Sequence, residues 1–598
     1  MESYSLLFSS SQGAGLLSGF QRLRSDRRMC DVVLETGGVS FPCHRALLAS
    51  SSEYFWALFG ESTVERLAPT VSLPALTPRG LDIILDFLYS GWLSLSPLTL
   101  PIVLETARYL QVHEAVSICD RFLNDGLSLN TCCCYANLAE CHALPEALAA
   151  SNQTITMEMA ALLQDKREDL LELNIQSLTA VLEAEEIPGV KEAELVRLAL
   201  DWLEVNGPLP LVRSNLLLSR LRFGLVTPSD LAILSHAHPA MATPLMRSHV
   251  TRALEYHGQG AARPIRQSRQ TTLRSSANHV LLVGGGVNPD SPDQEVLTFD
   301  LKNRKWSSLA PNLPRLLKNH CVCCVGGFLF VIGGEEVVGG TEEGGKTLTT
   351  TTTNQVWRYD PRFACWEEVE SMLETRAQFT CCVVDDVIYA IGGQHPRADT
   401  HTSMASVEFY NMTAGVWRRA TPLPRPLYGH ASAVLGQALF VSGGIPGHQG
   451  CHQGGSRGDQ RGSSKELLFL DLGVGGKTWE TRAPMSIARF RHHMATVAGS
   501  IYALLGMYEP FCDIERYDSL ADHWTRLRPL LIGSFSYGLA VTASGTLLLF
   551  GGRKWMDGQE VTVKSVLEYD REKDRWKEIC QLPRPLCGSE CTLLALPN

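Results

Sequence analysis

The chain lacks any run of ~18 consecutive apolar residues, which excludes a membrane-spanning helix. It also lacks an excess of positive charge. Its 53 Lys and Arg stand against 63 Asp and Glu, and the net −10 argues against a general binder of nucleic acid or anionic lipid. The opening MESYSLLFSSSQ puts Glu2 where a secretory leader wants basic residues, and no long apolar core follows it. An intracellular protein is therefore expected, in the cytoplasm, with the nucleus left open. Zinc-finger and zinc-ribbon spacings are missing, as are a Ser/His/Asp order and a paired-carboxylate motif. No cofactor, metal or enzymatic activity is expected.

Cysteine, by contrast, is plentiful. The 18 cysteines fall on apolar segments such as CVCCVGG (Cys321, Cys323, Cys324), FTCCVVDD (Cys381, Cys382) and NTCCCYANLAEC (Cys132, Cys133, Cys134, Cys141). That placement suits buried free thiols in a reducing compartment better than a disulfide framework. His448, Cys451 and His452, in GHQGCHQGG, have ligand chemistry but sit in a glycine-rich insert without rigid support, so they are not read as a metal site.

From about residue 280 the chain repeats itself. Apolar runs end in paired glycines whose second members are Gly285, Gly334, Gly393, Gly444, Gly506 and Gly552, and Leu505 breaks the fifth pair. Short segments then end in an acid, LTFD, VWRYD, LLFLD, IERYD and VLEYD, with VEFYN the one amide. A tryptophan follows each of them: Trp306, Trp366, Trp417, Trp479, Trp524 and Trp576. Four short antiparallel strands per unit, stacked so that each sheet buries its neighbour's face, explain this grammar. Glycine lets backbones crowd near an axis, and tryptophan fills the gap between blades. The repeat resembles the kelch motif and implies an all-β, six-bladed propeller over 279–598. CTLLALPN, after the last tryptophan, is expected to complete the first blade and close the ring.

One stretch invites a different chemistry. In GGTEEGGKT, Gly340, Gly345, Lys346 and Thr347 fit the phosphate-loop pattern G-x-x-x-x-G-K-[ST]. A phosphate loop opens onto a helix, whereas LTTTTTNQ follows here, and Glu342 and Glu343 would repel phosphate. The stretch is read as a loop insert (335–353) in the second blade. A second insert, 445–465, lies in the fourth.

The first half reads as helical, with Leu195, Leu198, Ala199 and Trp202 at i, i+3, i+4 and i+7. Cys30-Asp31-Val32-Val33, Phe41-Pro42-Cys43-His44-Arg45-Ala46 and Ser52-Glu53-Tyr54-Phe55 resemble the α/β BTB (POZ) domain, as do LDFLYSGWLSL and LETARYLQVHEAVSICDRFL in order and spacing. His44, Asp31 and Arg45 are read there as structural, tying a helix start to a strand. NTCCCYANLAECHALPEALAA and the helices after it resemble the all-α BACK region. The chain is thus identified as a member of the BTB-BACK-kelch (Kelch-like) family, with BTB at 1–126, BACK at 127–256, an exposed basic linker at 257–278, and the propeller.

That resemblance implies a substrate adaptor of a cullin-3 RING ubiquitin ligase. The BTB homodimer, through residues from about 5 to 125, would hold the cullin while the propeller captures a protein substrate. The alternative is a non-ligase dimeric scaffold that crosslinks cytoskeletal or other protein partners. The family's hydrophobic-x-Glu cullin motif falls on Thr63-Val64-Glu65, where Thr63 is a weak hydrophobe, and Tyr54 joins Thr63 and Glu65 as the implied cullin contacts. Counting back fourteen from the first position of each glycine pair gives Asn319, Gln378, Gly429, Arg491 and Tyr537 as the propeller mouth. Tyr428 and a positive collar of Arg376, Arg425, Arg489 and Arg491 are expected beside them, favouring a degron with Asp, Glu or phosphate.

Overall fold

Thr-Pro starts three helices in the computed structural model. It describes residues 12–598 apart from 61–62, 208–209, 275, 289–291, 343–344, 398–399, 448–461, 474–477, 508–511, 531–532, 557–558 and 598. The threonine hydroxyls of Thr77, Thr227 and Thr243 accept from the backbone N–H three residues on, and the following proline has no N–H to leave unsatisfied. The chain divides into two units, residues 1–221 and 222–598.

In the first unit, Val32–Thr36 pairs antiparallel with Val39–Cys43 and parallel with Thr70–Ser72. Helices Arg45–Ser51, Glu53–Leu58, Pro78–Ser90, Leu100–Tyr109 and His113–Asp125 surround this sheet, and further helices run from Cys132–Cys141 to Leu211–Leu218. One apolar core takes in Leu34, Phe55, Leu85 and Leu104 from the α/β part and Tyr135, Ala139 and Ala147 from the helices after it. Helices stand on both sides of the boundary expected at 126, and residues from both sides share this core. His44 is buried, its ring bonded to the Tyr89 hydroxyl (2.8 Å) and the Arg28 carbonyl (3.1 Å), and the Asp31 carboxylate accepts from the Arg45 N–H at 2.8 Å. This is the helix-to-strand tie.

The second unit carries the propeller. Its innermost strands are Glu590–Pro597, Cys321–Val325, Thr380–Val384, Ala431–Leu435, His493–Val497 and Gly538–Val541, and each touches the next in cyclic order, the sixth returning to the first. Glu590–Pro597 pairs along its whole length with Ser276–Val283, so the terminal strand closes the first blade as expected. Each segment's terminal acid caps the turn to the outer strand. Asp300 accepts from the N–H groups of Lys302 and Asn303, and Asp518 from those of Leu520 and Ala521. Asn411 accepts from Ala414 N–H in the same way, which is why an amide serves there. The tryptophan indoles of Trp366, Trp417, Trp479 and Trp524 donate to backbone carbonyls of the preceding blade at 2.8–3.2 Å. The glycine pairs are required by space: a Cβ on Gly393 (φ 103°) would stand 2.7 Å from the Cβ of Phe379 and 2.8 Å from the Ala377 carbonyl oxygen.

Two expectations are corrected. Residues 257–278 are not an exposed linker. The 3-10 turn Gly260–Ile265 is docked on blade two, where Arg263 is buried against Asp360 (3.3 Å) and Glu367 (2.6 Å), and Arg358 donates to the Gly260 carbonyl at 3.0 Å. Insert 335–353 is not a loop either. Phe328–Glu342 and Gly345–Asp360 continue blade two's central strands as a long antiparallel ribbon, as a threonine run suits. A strand follows Gly345 where a phosphate loop needs a helix. The insert 445–465, with His448, Cys451 and His452, lies mostly outside the described residues.

Candidate functional site

Two surfaces carry the residues singled out by sequence, one in each unit. In the first unit, Ser52 caps the helix Glu53–Leu58 by accepting from the Phe55 N–H at 3.2 Å. That aims Tyr54 at Tyr109, ring centroids 5.2 Å apart. Burial, then Tyr109 and Glu65, push the Tyr54 hydroxyl up to about 12. Glu65 sits on the 3-10 turn Val64–Arg66. Arg45 fixes this turn, donating to the Glu65 carbonyl (2.9 Å) and to that of Ala68 while stacking 4.6 Å from the Phe59 ring. Thr63 turns its hydroxyl back onto the carbonyls of Leu58 (2.6 Å) and Gly60 (3.0 Å), which leaves its methyl as the apolar part. Sequence reasoning missed what else this surface offers: Trp56, Val64 and Leu67 are 71%, 89% and 87% exposed. A soluble domain rarely leaves three large apolar side chains so bare on two neighbouring elements without a partner.

In the second unit, one residue per blade forms a ring at one end of the channel. Asn319, Gln378, Arg491 and Ser536, with φ of 50–54°, and Gly429 and Gly588, with φ of 61° and 73°, take the same left-handed conformation. They are joined in part by backbone bonds: Gln378 N–H to Asn319 (3.2 Å), Gly429 to Gln378 (2.8 Å), Arg491 to Gly429 (2.7 Å) and Gly588 to Ser536 (2.7 Å). The residue before each ring position pairs with the residue after that blade's glycine pair: Lys318 with Glu335, Ala377 with Gln394, Tyr428 with Ile445, Phe490 with Met507, Phe535 with Arg553, and Cys587 with Gly286. The ring and the bases of the ribbons 394–403 and 553–562 therefore share one face, and the second of these ribbons exposes Trp555 and Met556.

Ser536 replaces Tyr537 at this mouth. Blade six's inner hairpin is one residue longer than blade five's, so a fixed count of fourteen back from Gly551 stops one residue short. Tyr537 is buried and donates to the Leu504 carbonyl at 2.7 Å.

The arginine collar is likewise not formed as expected. Arg376 and Arg489 are fully buried, Arg376 on Glu408 (2.5 Å) and the Gly392 carbonyl (2.9 Å), Arg489 on Glu515 (2.9 Å) and the Leu505 carbonyl (2.6 Å). Each latches its blade's glycine corner to the third strand. Arg425, on Glu466, and Arg584, on Glu295 (2.8 Å), are partly exposed versions of the same latch. The sequence does hold a signal for this. Where the arginine stands two before the ring residue, the glutamate stands three before the terminal Asp or Asn (Arg376/Glu408, Arg489/Glu515); where it stands four before, the glutamate stands five before (Arg425/Glu466, Arg584/Glu295).

Arg491 is the arginine left at the mouth. Its guanidinium lies 5.5 Å from the Phe490 ring, which meets Tyr428 edge-on at 5.6 Å. Burial pulls the pKa of Arg491 down, while Glu335 and Tyr428 oppose that. Glu335 accepts from Asn319 at 3.0 Å, and Glu590 also lines the opening, so the mouth is mixed in charge. Among the described residues no group of three or more His, Cys, Asp or Glu is arranged to hold a metal ion, and no helix is long and apolar enough to cross a membrane.

A three-part chain, with an α/β domain, a helical region, and a closed propeller with a polar ring at its mouth, defines a BTB-BACK-kelch protein. Family comparison agrees: residues 20–127 match the BTB/POZ domain, 132–235 the family described as BTB And C-terminal Kelch, and 248–444 that described as KLHDC2/KLHL20/DRC7 Kelch-repeats domain. The chain is 40% identical to Kelch-like protein 34 of Homo sapiens, over 99% of this chain and 97% of that one. It is 31% identical to Kelch-like protein 36 of Bos taurus (96% and 90%) and 28% identical to Kelch-like protein 15 of Danio rerio (97% and 95%). The chain belongs to the Kelch-like family.

Proposed function

We propose that this protein is the substrate-recognition adaptor of a cullin-3 RING E3 ubiquitin ligase. It acts as a homodimer through residues from about 5 to 125, with the propeller mouth receiving the substrate. The observation that carries the reading is the turn bearing Val64 and Glu65, held by Arg45 and bare to solvent at its apolar side chains. Two mouths on one dimer raise avidity for a bivalent substrate through effective concentration.

Calorimetric titration of the purified full chain with cullin-3 tests the first half. Glu65→Ala is expected to weaken binding about tenfold, roughly 1.4 kcal/mol. Thr63→Met is expected to tighten it, because the added apolar burial is worth roughly 1–2 kcal/mol. If neither the native chain nor Thr63→Met binds cullin-3, the adaptor reading fails and the dimeric scaffold takes its place.

At the mouth, Arg491 on its Phe490 and Tyr428 platform supports an acidic or phosphorylated degron, through charge-assisted bonds that no other arginine of the expected collar is placed to make. On a peptide array, Arg491→Ala is expected to lose about fivefold or more in signal for acidic peptides. Equal binding by the variant, or best binders that are apolar or basic, would sink the acidic degron and leave the cullin half standing.

A further inference from the structure

The propeller channel, a cavity of about 490 Å³, is lined by Cys321, Cys323, Cys324, Cys381 and Cys591. Cys321 and Cys323 lie on blade two's innermost strand and Cys381 on blade three's, and all three border the cavity. The two strands lie side by side. The Cys321 Sγ reaches across the seam to the Phe379 carbonyl (3.2 Å), and the Cys381 Sγ reaches back to the Val322 carbonyl (3.5 Å). Val322 is the residue between Cys321 and Cys323, so the Cys381 sulfur meets the backbone between those two cysteines. Cys324 stands at C-x-x-C spacing from Cys321, but residues three apart on a strand face opposite sides, and Cys324 packs in a different core with Val331 and Leu594.

From this geometry we infer that the seam between blades two and three is an oxidation site, at which Cys381 forms a reversible disulfide with Cys321 or Cys323. The oxidant is a small peroxide able to enter the channel. The Cys381 thiolate attacks one peroxide oxygen and the O–O bond breaks. This leaves a sulfenic acid on Cys381 and a hydroxide that takes up a proton. The neighbouring thiol then attacks that sulfur and expels water as the S–S bond forms, so two thiols are oxidised by two electrons and the peroxide is reduced to two waters.

The electrostatics select Cys381 as the attacking group. When the Cys321 proton turns from the Phe379 carbonyl to the Cys381 sulfur, the neighbouring thiols, Cys321 and then Cys323, hold Cys381 below the ordinary thiol range against the opposing effect of burial. The Cys321 thiol is pushed up, by burial first, and that of Cys323 by its bond to Cys381 first. The bond would staple blades two and three two residues from Asn319 and three from Gln378, whose backbones meet in the mouth ring. The channel thus carries chemistry that the adaptor reading does not use.

The test is to treat the reduced full chain with hydrogen peroxide below one equivalent, alkylate, digest without reductant and map linked peptides. The expected result is Cys381 joined to Cys321 or Cys323, released by dithiothreitol and formed about tenfold faster than Cys134, an exposed thiol, is consumed. Cys381→Ser is expected to abolish the link, whereas Cys382→Ser, on the other face of the strand, keeps it. Recovery of Cys381 in alkylated form while Cys134 is oxidised, or a link between other cysteines, would overturn the assignment, and the wild-type map alone decides this if a variant folds poorly.

Discussion

Ending the chain at Ser589 is expected to abolish the propeller rather than trim it. Glu590–Pro597 is the innermost strand of the first blade, in register with all of Ser276–Val283, and it stands between the inner strands of blades two and six. Its removal takes Leu594 and Leu596 out of the core. Truncating even one such leucine to alanine costs about 2–5 kcal/mol, so losing two with their strand approaches the ~5–15 kcal/mol that holds a typical domain folded. Ser276–Val283 would also become an unpaired edge, open to aggregation. Thermal unfolding should show no cooperative propeller transition, and gel filtration should show aggregate. A truncated chain that melts within a few degrees of the full one would mean the ring closes elsewhere.

The second large effect concerns the Arg489–Glu515 latch. Arg489→Met leaves the Glu515 carboxylate buried without its cation, which is expected to cost about 3–5 kcal/mol in denaturant titration. Replacing both partners, Arg489→Met with Glu515→Leu, should recover most of that, because neither charge is then left alone. The latch also sets a pH dependence. Burial raises the pKa of Glu515, but bonds from Ser486 and Arg489 outweigh this and hold the carboxyl below its usual range. A carboxyl depressed in the folded state stabilises above its ordinary pKa, and that stability is lost as pH falls through the folded value. Burial lowers His430 to about 4 and holds His492 well below the ordinary 6.5, so protonation of either also opposes folding. The two effects have the same sign. Stability should fall from about pH 6.5 downward through pH 4, and the double variant should lose less of it at the acid end. Flat stability from pH 7 to pH 4 would contradict this account of the buried pair and the histidines.

The repeat was legible because its parts are local. A glycine pair, an acid capping a turn and a tryptophan six or eight residues on each do their work within one blade or against its neighbour, and the spare strand in CTLLALPN had one place to go. The arginines were not legible in the same way. Whether Arg489 faces the mouth or the blade depends on a bend at Phe490 and on Glu515, 26 residues away, although the paired offsets of arginine and glutamate record the contact in the sequence. Likewise, HGQGAARPIRQSRQ reads locally as a solvated basic segment, and only Asp360 and Glu367, about a hundred residues on, turn Arg263 inward. The threonine run after GGTEEGGKT carried a strand signal that its glycines obscured. On the α/β domain, the motif singled out Tyr54 and Glu65, while the exposure of Trp56, Val64 and Leu67 depends on packing that no short motif encodes.

The central claim is most directly tested by light scattering on a gel-filtered mixture of the unmodified full chain with cullin-3. The expected result is a single species containing two copies of each protein. Separate elution of the chain and the cullin at concentrations where the chain itself is dimeric would contradict it.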